Sequence, residues 1–259
     1  MRLSNEDRES LSYAKNLLEN PGLAARLTNM IGKPIEAGIK WLPANWADTI
    51  NKATMVSLEK ALDIALLTLK DRPRMEAWDK LHKLAVTATG AGGGAFGLAG
   101  LPFELPVSTT IMLRSIADIA RSEGERLNLI ESKLACVEVF AFGGRSASDD
   151  ADDSAYFIIR GMLARSVSEA ASYIAEKGLV TKGAPVLVKF VAKIATRFGT
   201  TVSQKVAAQA IPGIGAAAGA IINLIFIDHF QSMARGHFIV RRLERTYTPE
   251  LVREEYERL

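Results

Sequence analysis

Cysteine is almost missing from this chain: Cys136 stands alone among 259 residues, which excludes an intrachain disulfide and any CxxC metal or redox pair and points to a reducing compartment. Histidine is scarce too, at three residues, and no GxSxG, Walker A or HExxH pattern is present to nominate a reaction. An excess of one charge is also lacking. Lys+Arg of 32 against Asp+Glu of 29 leaves only +3, so nucleic acid is not expected among the partners. The first nine residues, Met1 to Glu9, are too charged to carry the apolar core of a secretory signal, and the expected location is the cytoplasm. With 48% hydrophobic and 24% charged residues and no low-complexity linker, the chain is neither disordered nor fibrous.

Strand signals are nearly absent, and what remains is helix. Ser4 followed by Asp7 resembles a capping box before a helix that ends near Asn20-Pro21-Gly22, and Pro34 and Pro43 punctuate two short helical pieces. From Asn45 to about Lys70, Trp46, Ile50, Ala53, Leu58, Ala61, Leu62, Ala65, Leu66 and Leu69 recur at spacings of three and four, which predicts a long amphipathic helix. Further helices are expected from about Arg74 towards Ala88, from Leu105-Pro106 to Glu123 with Gly124 as its cap, and over about 130–142, 149–177 with room for a break, 185–209, 213–245 and 249–258. The predicted fold is all-α, a single compact multi-helix domain: an N-terminal helical segment (1–44), the main helical domain (45–247) and a C-terminal helical tail (248–259).

Two stretches without an ionisable residue, Leu84 to Phe103 and Val206 to Ile227, are each long enough, at about 20 residues, to cross a bilayer. Gly90, Gly92, Gly93, Gly94, Gly97 and Gly100 dilute the first, and Gln209, Pro212, Gly213, Gly215 and Gly219 the second. Small residues let helices approach closely in water or in lipid, so the expectation is a Gly/Ala-rich, closely packed central hairpin with Gly93, Gly97, Gly215 and Gly219 at the helix contacts, insertion into a bilayer being the alternative.

Charge is distributed unevenly. Between Gly178 and Ile227 there is no Asp or Glu, while Lys182, Lys189, Lys193, Arg197 and Lys205 are all present. On a helix Lys189, Lys193 and Arg197 fall on one stripe, with Leu187, Phe190, Val191, Ile194 and Phe198 largely on the other side. That arrangement suits an anionic membrane surface and makes Lys189, Lys193, Arg197, Phe190 and Phe198 candidates for membrane contact; the alternative is an apolar face buried in the protein's own core beneath solvated lysines. The opposite sign gathers at Asp149, Asp150, Asp152 and Asp153, which read as a helix start stabilised by its dipole, and no metal site is expected.

Polar groups interrupt the apolar helices at Glu104, Arg114, Asn223 and Asp228. Buried charge must be paired, so Arg114 with Glu104 or Asp228 is expected as an ion pair, the alternative being a polar cavity at the mouth of the hairpin. Cys136 reads as core packing and His82 as a surface or interface residue. His229 and His237, two turns apart, are too far separated for an i, i+4 metal pair.

Three segments together resemble the EcsC protein family: Thr89 to Gly97 running into Glu104-Leu105-Pro106; Leu113-Arg114-Ser115-Ile116 with Ile119-Ala120 and Gly124; and Ile211-Pro212-Gly213-Ile214-Gly215 with Gly219, Asn223 and Phe226. The resemblance spans roughly Leu58 to Tyr247, with Glu104 standing where the family pattern leads one to expect aspartate. EcsC-like proteins take their name from a bacterial operon that also encodes an ABC transporter, and the family has no established biochemical activity. The resemblance therefore implies a cytoplasmic or membrane-peripheral helical protein and transfers neither catalytic residues nor a cofactor. The absence of a nucleophile motif favours an accessory factor that docks through the 185–227 region, with its basic stripe, on an anionic membrane surface, on the inner face of the membrane, or on a membrane protein such as a transporter. The competing reading is a lipid-directed hydrolase, or another enzyme, with an interhelical polar cavity.

Overall fold

The computed structural model describes residues 2–19, 22–71, 97–143, 155–178, 184–211 and 216–259. Among these residues the regular elements are all helical: α1 (Asn5–Glu19), α2 (Leu23–Ile31), a 3-10 helix (Ile35–Trp41), α3 (Trp46–Thr68), α4 (Gly97–Ser122), α5 (Ile130–Phe142), α6 (Ala155–Lys177), α7 (Pro185–Ala210), α8 (Ala216–Thr246) and α9 (Pro249–Arg258). Local chemistry sets several of their ends. The Ser4 hydroxyl accepts the Asp7 amide at 3.1 Å at the head of α1, Thr248 accepts from the Leu251 amide at 3.3 Å at the head of α9, and prolines open α7 and α9 at a position whose amide has no helical partner anyway.

The core is built around α5 and α8. Every residue of α5 from Leu134 to Phe142 is buried, because the helix is covered by α3, α4, α6, α7 and α8. Such a stretch needs no polar face, and from Leu134 onward this one carries a single charged side chain, Glu138. Phe140 meets Phe198 of α7 and Phe230 of α8 with ring centroids 5.0 and 5.3 Å apart, and Phe226 joins Phe230 at 5.2 Å in edge-to-face geometry. The helix expected from Asn45 forms as α3, and Ile50, Ala53, Leu58, Ala61, Leu62, Ala65, Leu66 and Leu69 are all buried, mainly against α4 and α7. The N-terminal segment lies on this body: α1 runs along α8, and the Tyr247 hydroxyl donates to Asp7 at 2.7 Å.

One boundary departs from expectation. Leu105-Pro106 was read as a helix start, but α4 begins at Gly97 and carries Pro102 and Pro106 inside it. Neither ring ends the helix: Pro102 faces outwards, and the Thr110 hydroxyl donates to the Pro106 carbonyl at 2.8 Å in the turn that follows. Gly124 does act as the cap of α4. At φ +83° it closes a Schellman turn in which its amide bonds Arg121 and that of Glu125 bonds Ala120, both at 2.9 Å.

The expected small-residue hairpin is only partly within the described residues. Gly93, Gly215, the helix from Arg74 to Ala88, the Gly90–Gly94 run and the four aspartates 149–153 lie outside them, as does Lys182. Gly97 is the first residue of α4, and Gly219 is buried in the first turns of α8. Among the described residues no helix is long and apolar enough to cross a membrane.

A different glycine makes the tightest helix contact. A Cβ on Gly38, in the 3-10 helix, would lie 1.8 Å from the carbonyl oxygen of Ala207 and 2.7 Å from its carbon, both fixed backbone of α7. Gly38→Ala is therefore expected to push the 3-10 helix off α7 and destabilise the protein by about 1–3 kcal/mol, read as a lowered urea midpoint. An unchanged midpoint would mean that the 3-10 helix is not held there.

Candidate functional site

Two places concentrate chemistry, and the first is an interhelical cleft. Gly124 turns the chain so that Glu125 enters the protein, where its carboxylate accepts from Arg241 (2.8 and 3.3 Å), from the Ser132 hydroxyl (2.7 Å) and from Arg245. Burial works to raise its pKa, yet the hydrogen bonds and charges of Arg241, Ser132 and Arg245 hold it below the ordinary value. One turn further along α8, Glu244 receives both terminal nitrogens of Arg160 from α6, at 2.7 and 3.0 Å, in the bidentate geometry a guanidinium favours. Arg160 and Arg241 thus line one end of a cavity of about 450 Å³ between α5, α6 and α8.

Glu138 of α5 lines the same cavity. It is 6% exposed and, unlike Glu125 and Glu244, meets no hydrogen-bond donor among the described residues. Desolvation pushes its pKa up to about 7 although Arg160 and Arg241 act in the opposite direction. Behind it the Tyr156 hydroxyl lies 2.8 Å from His237 Nδ1, and burial holds the His237 ring neutral well below its ordinary pKa. The remaining walls are small: Ala164, Ser168, Ala171, Ser172 and Ala175 form one face of α6. Such an arrangement can hold a polar headgroup and exchange a proton near neutrality.

The second place is the end of the bundle where α4 and α8 begin and α7 finishes. Lys205 of α7, 0% exposed, sends its ammonium to both oxygens of Glu104 in α4 (2.8 and 2.9 Å) and lies over the Phe226 ring of α8 at 4.9 Å. Several large apolar side chains of α4, α8 and the 3-10 helix face solvent. Phe103 is 80% exposed and Trp41 65%, with Ile39, Val107, Ile221 and Leu224 also exposed.

These positions correct several expectations. Arg114 pairs with neither Glu104 nor Asp228: it faces solvent, Lys205 takes Glu104, and Arg26 of α2 takes Asp228. The four residues Glu104, Arg114, Asn223 and Asp228 therefore do not line one cavity, and Asn223 is wholly buried with neither its amide nitrogen nor its oxygen partnered among the described residues. Phe190 and Phe198 are fully buried in the core, so the apolar face of α7 is turned inwards and is not offered to a membrane. Lys189 and Lys193 stay exposed on the stripe, near Glu169 of α6, while Arg197 is half-buried and donates to the Ala141 carbonyl at 3.2 Å. Cys136 is buried, which pushes its thiol up to about 12, and His229, buried and depressed to about 4, has Nε2 3.0 Å from the Gly143 carbonyl. No group of three or more His, Cys, Asp or Glu able to hold a metal ion exists among the described residues.

The cleft was missed because Glu138, Arg160 and Arg241 are far apart in the chain and each looks ordinary alone. One signal was available: Glu138 is the only Asp, Glu, Lys, Arg or His in the run Leu134 to Phe142.

Glu138 generates a prediction with a definite sign. A carboxyl whose pKa rises from 4.5 unfolded to about 7 folded keeps its proton longer in the native state, so its contribution to stability is full below pH 4.5 and is lost as pH rises towards 7. Glu138→Gln removes this dependence. The stability of the variant relative to wild type should improve from pH 4.5 to pH 8 by up to roughly 3 kcal/mol, measured by urea unfolding at both pH values. A difference independent of pH would show that the group does not titrate there.

The EcsC protein family model fits residues 6–243, while no curated protein and no solved structure matches the chain. The match reaches back through α1 and onward almost to the end of α8, so it takes in the helices that form both the cleft and the apolar end. On that span the chain belongs to the EcsC protein family.

Proposed function

We propose that the protein is a membrane-peripheral accessory factor that docks on an anionic membrane surface at the inner face of the membrane, through the end of the bundle where α4 and α8 begin. The observation that carries this reading is the exposed set Trp41, Ile39, Phe103, Val107, Ile221 and Leu224 at that one end. Lys205 draws Glu104 inwards, and Lys33 and Lys40 outnumber Glu36 beside Trp41. Aromatic side chains with basic neighbours suit the headgroup layer, where the rings enter the interface and the ammonium groups remain at the lipid phosphates. Lys189 and Lys193 lie about four turns or more further along α7 and contribute long-range attraction, not insertion. A membrane protein in place of the lipid surface would use the same apolar end. The enzymatic alternative has the polar interhelical cleft in its favour, without a nucleophile–base pair lining it among the described residues.

Co-sedimentation with vesicles tests the proposal. Wild type should bind phosphatidylglycerol-containing vesicles better than pure phosphatidylcholine, and binding should weaken as salt shortens the screening length below about 8 Å. Trp41→Ser with Phe103→Ser should reduce binding about tenfold or more with the melting temperature unchanged, because both side chains already face water. Lys189→Glu with Lys193→Glu should flatten the salt dependence and lower binding less. Equal binding to neutral vesicles, or retention by the Trp41/Phe103 variant, would overturn the reading.

A further inference from the structure

We propose that the cleft between α5, α6 and α8 binds a small organic acid, its anionic head seated among Arg160, Arg241 and Glu138 and its short aliphatic tail along the small-residue face of α6. Three features of the cleft lead there. First, the two guanidinium groups are incompletely used. Arg160 commits Nη1 and Nη2 to Glu244, and Arg241 commits Nε and Nη2 to Glu125, which leaves Arg160 Nε and Arg241 Nη1 without an acceptor among the described residues. A guanidinium carries five N–H donors, and partly buried donors favour an acceptor. Second, Glu138 is the one carboxyl of the cluster with no donor, almost wholly buried and lining the cavity. When protonated it can donate to a bound oxyanion. Third, the wall beyond the charges is Ala164, Ala171 and Ala175 with the hydroxyls of Ser168 and Ser172, a face running about 16 Å along α6 that leaves room for a chain but offers no charge.

The sign of the headgroup follows from the charges around it. On α8 Arg241 and Arg245 face Glu125 and Glu244; α6 adds Arg160 and α5 adds Glu138, with exposed Glu131 at the mouth. His237 and Tyr156, the other titratable groups at this depth, are both held neutral by burial. Inside the mouth, three guanidinium groups meet two committed carboxylates, so with Glu138 protonated the inner cleft carries one surplus positive charge, which an anion neutralises. An amine would have to settle beside two guanidinium groups. The proton balance is explicit: when the acid binds as its anion to protein with Glu138 ionised, one proton is taken up from solvent by Glu138 and none is released.

Isothermal titration calorimetry with octanoate, and with octylamine as the opposite charge on the same chain, tests this. Octanoate should bind at pH 6 and weaken about tenfold at pH 8 as Glu138 loses its proton. Heats measured in buffers of different ionisation enthalpy should report proton uptake. Glu138→Gln, which keeps a donor at the same place, should bind octanoate at pH 8 as tightly as wild type does at pH 6 and lose the pH dependence. Ser168→Trp, which fills the cleft from an exposed position and spares the core, should abolish binding. The proposal fails if octanoate gives no saturable heat at millimolar concentration, if its binding ignores pH, if Ser168→Trp leaves it intact, or if octylamine binds in its place with affinity that rises with pH.

Discussion

The ammonium of Lys205 has no access to water, and the fold depends on what it finds instead. Glu104 supplies both carboxylate oxygens from α4 and Phe226 supplies a ring face from α8, so one buried charge ties three helices together at a single level. Removing either partner would strand the other in a low-dielectric core, at a cost of about 3–5 kcal/mol, so these helices can slide past one another only by breaking the pair. The same bond explains how a stretch from Gly178 to Ile227 manages without a single acidic residue: the cation buried at Lys205 borrows a carboxylate from a distant part of the chain. The pair lies at the end of the bundle where Phe103 and Trp41 are exposed.

α8 joins this end to the cleft. From Phe226 to Arg241 is about 22 Å of helix, and the polar side chains buried along it each have a definite place. Gln231 donates to Ser115 at 2.8 Å, His229 lies against the Gly143 carbonyl, and His237 meets Tyr156. Each bond binds a different neighbour, α4, the end of α5 and α6, and so fixes the rotation of α8 about its axis as apolar packing alone would not. With that rotation fixed, Arg241, Glu244 and Arg245 all point into the space beside α5. The Schellman turn at Gly124 completes the arrangement from the other side, because only a residue at ease with positive φ lets Glu125 turn in to meet them.

Helix existence was legible and helix destination was not. The three–four spacing of α3, the Gly and Pro punctuation around α5 to α9 and the cap at Gly124 all carried through, since those signals act locally. The start of α4 was misplaced because a proline reads as a first turn, whereas here two of them sit inside a helix whose opening residues are mostly small. The stripe of Lys189, Lys193 and Arg197 opposite Phe190 and Phe198 was real, yet periodicity states only that a face is apolar; α5 and α8, not lipid, cover it. Arg114 was assigned a partner from its apolar neighbours, but its position on α4 turns it to water, and the cation that meets Glu104 lies a hundred residues further on. The cleft depends on pairings of that kind throughout, between residues whose separation in the chain hides them.

Pro102 and Pro106 carry a consequence for motion. Each lacks an amide, so the carbonyls of Leu98 and Pro102 accept no helical bond from four residues ahead, and the opening turns of α4 hold two fewer backbone bonds than an unbroken ladder would. Past Pro106 the helix has its full ladder and Leu113, Ile116, Ala117 and Ala120 lie completely within the core. Local opening therefore costs less free energy over the first turns than over the remainder. The fewer bonds of the first turns make them the weaker part of α4, and the change falls beside Glu104, where the ammonium of Lys205 is the clasp.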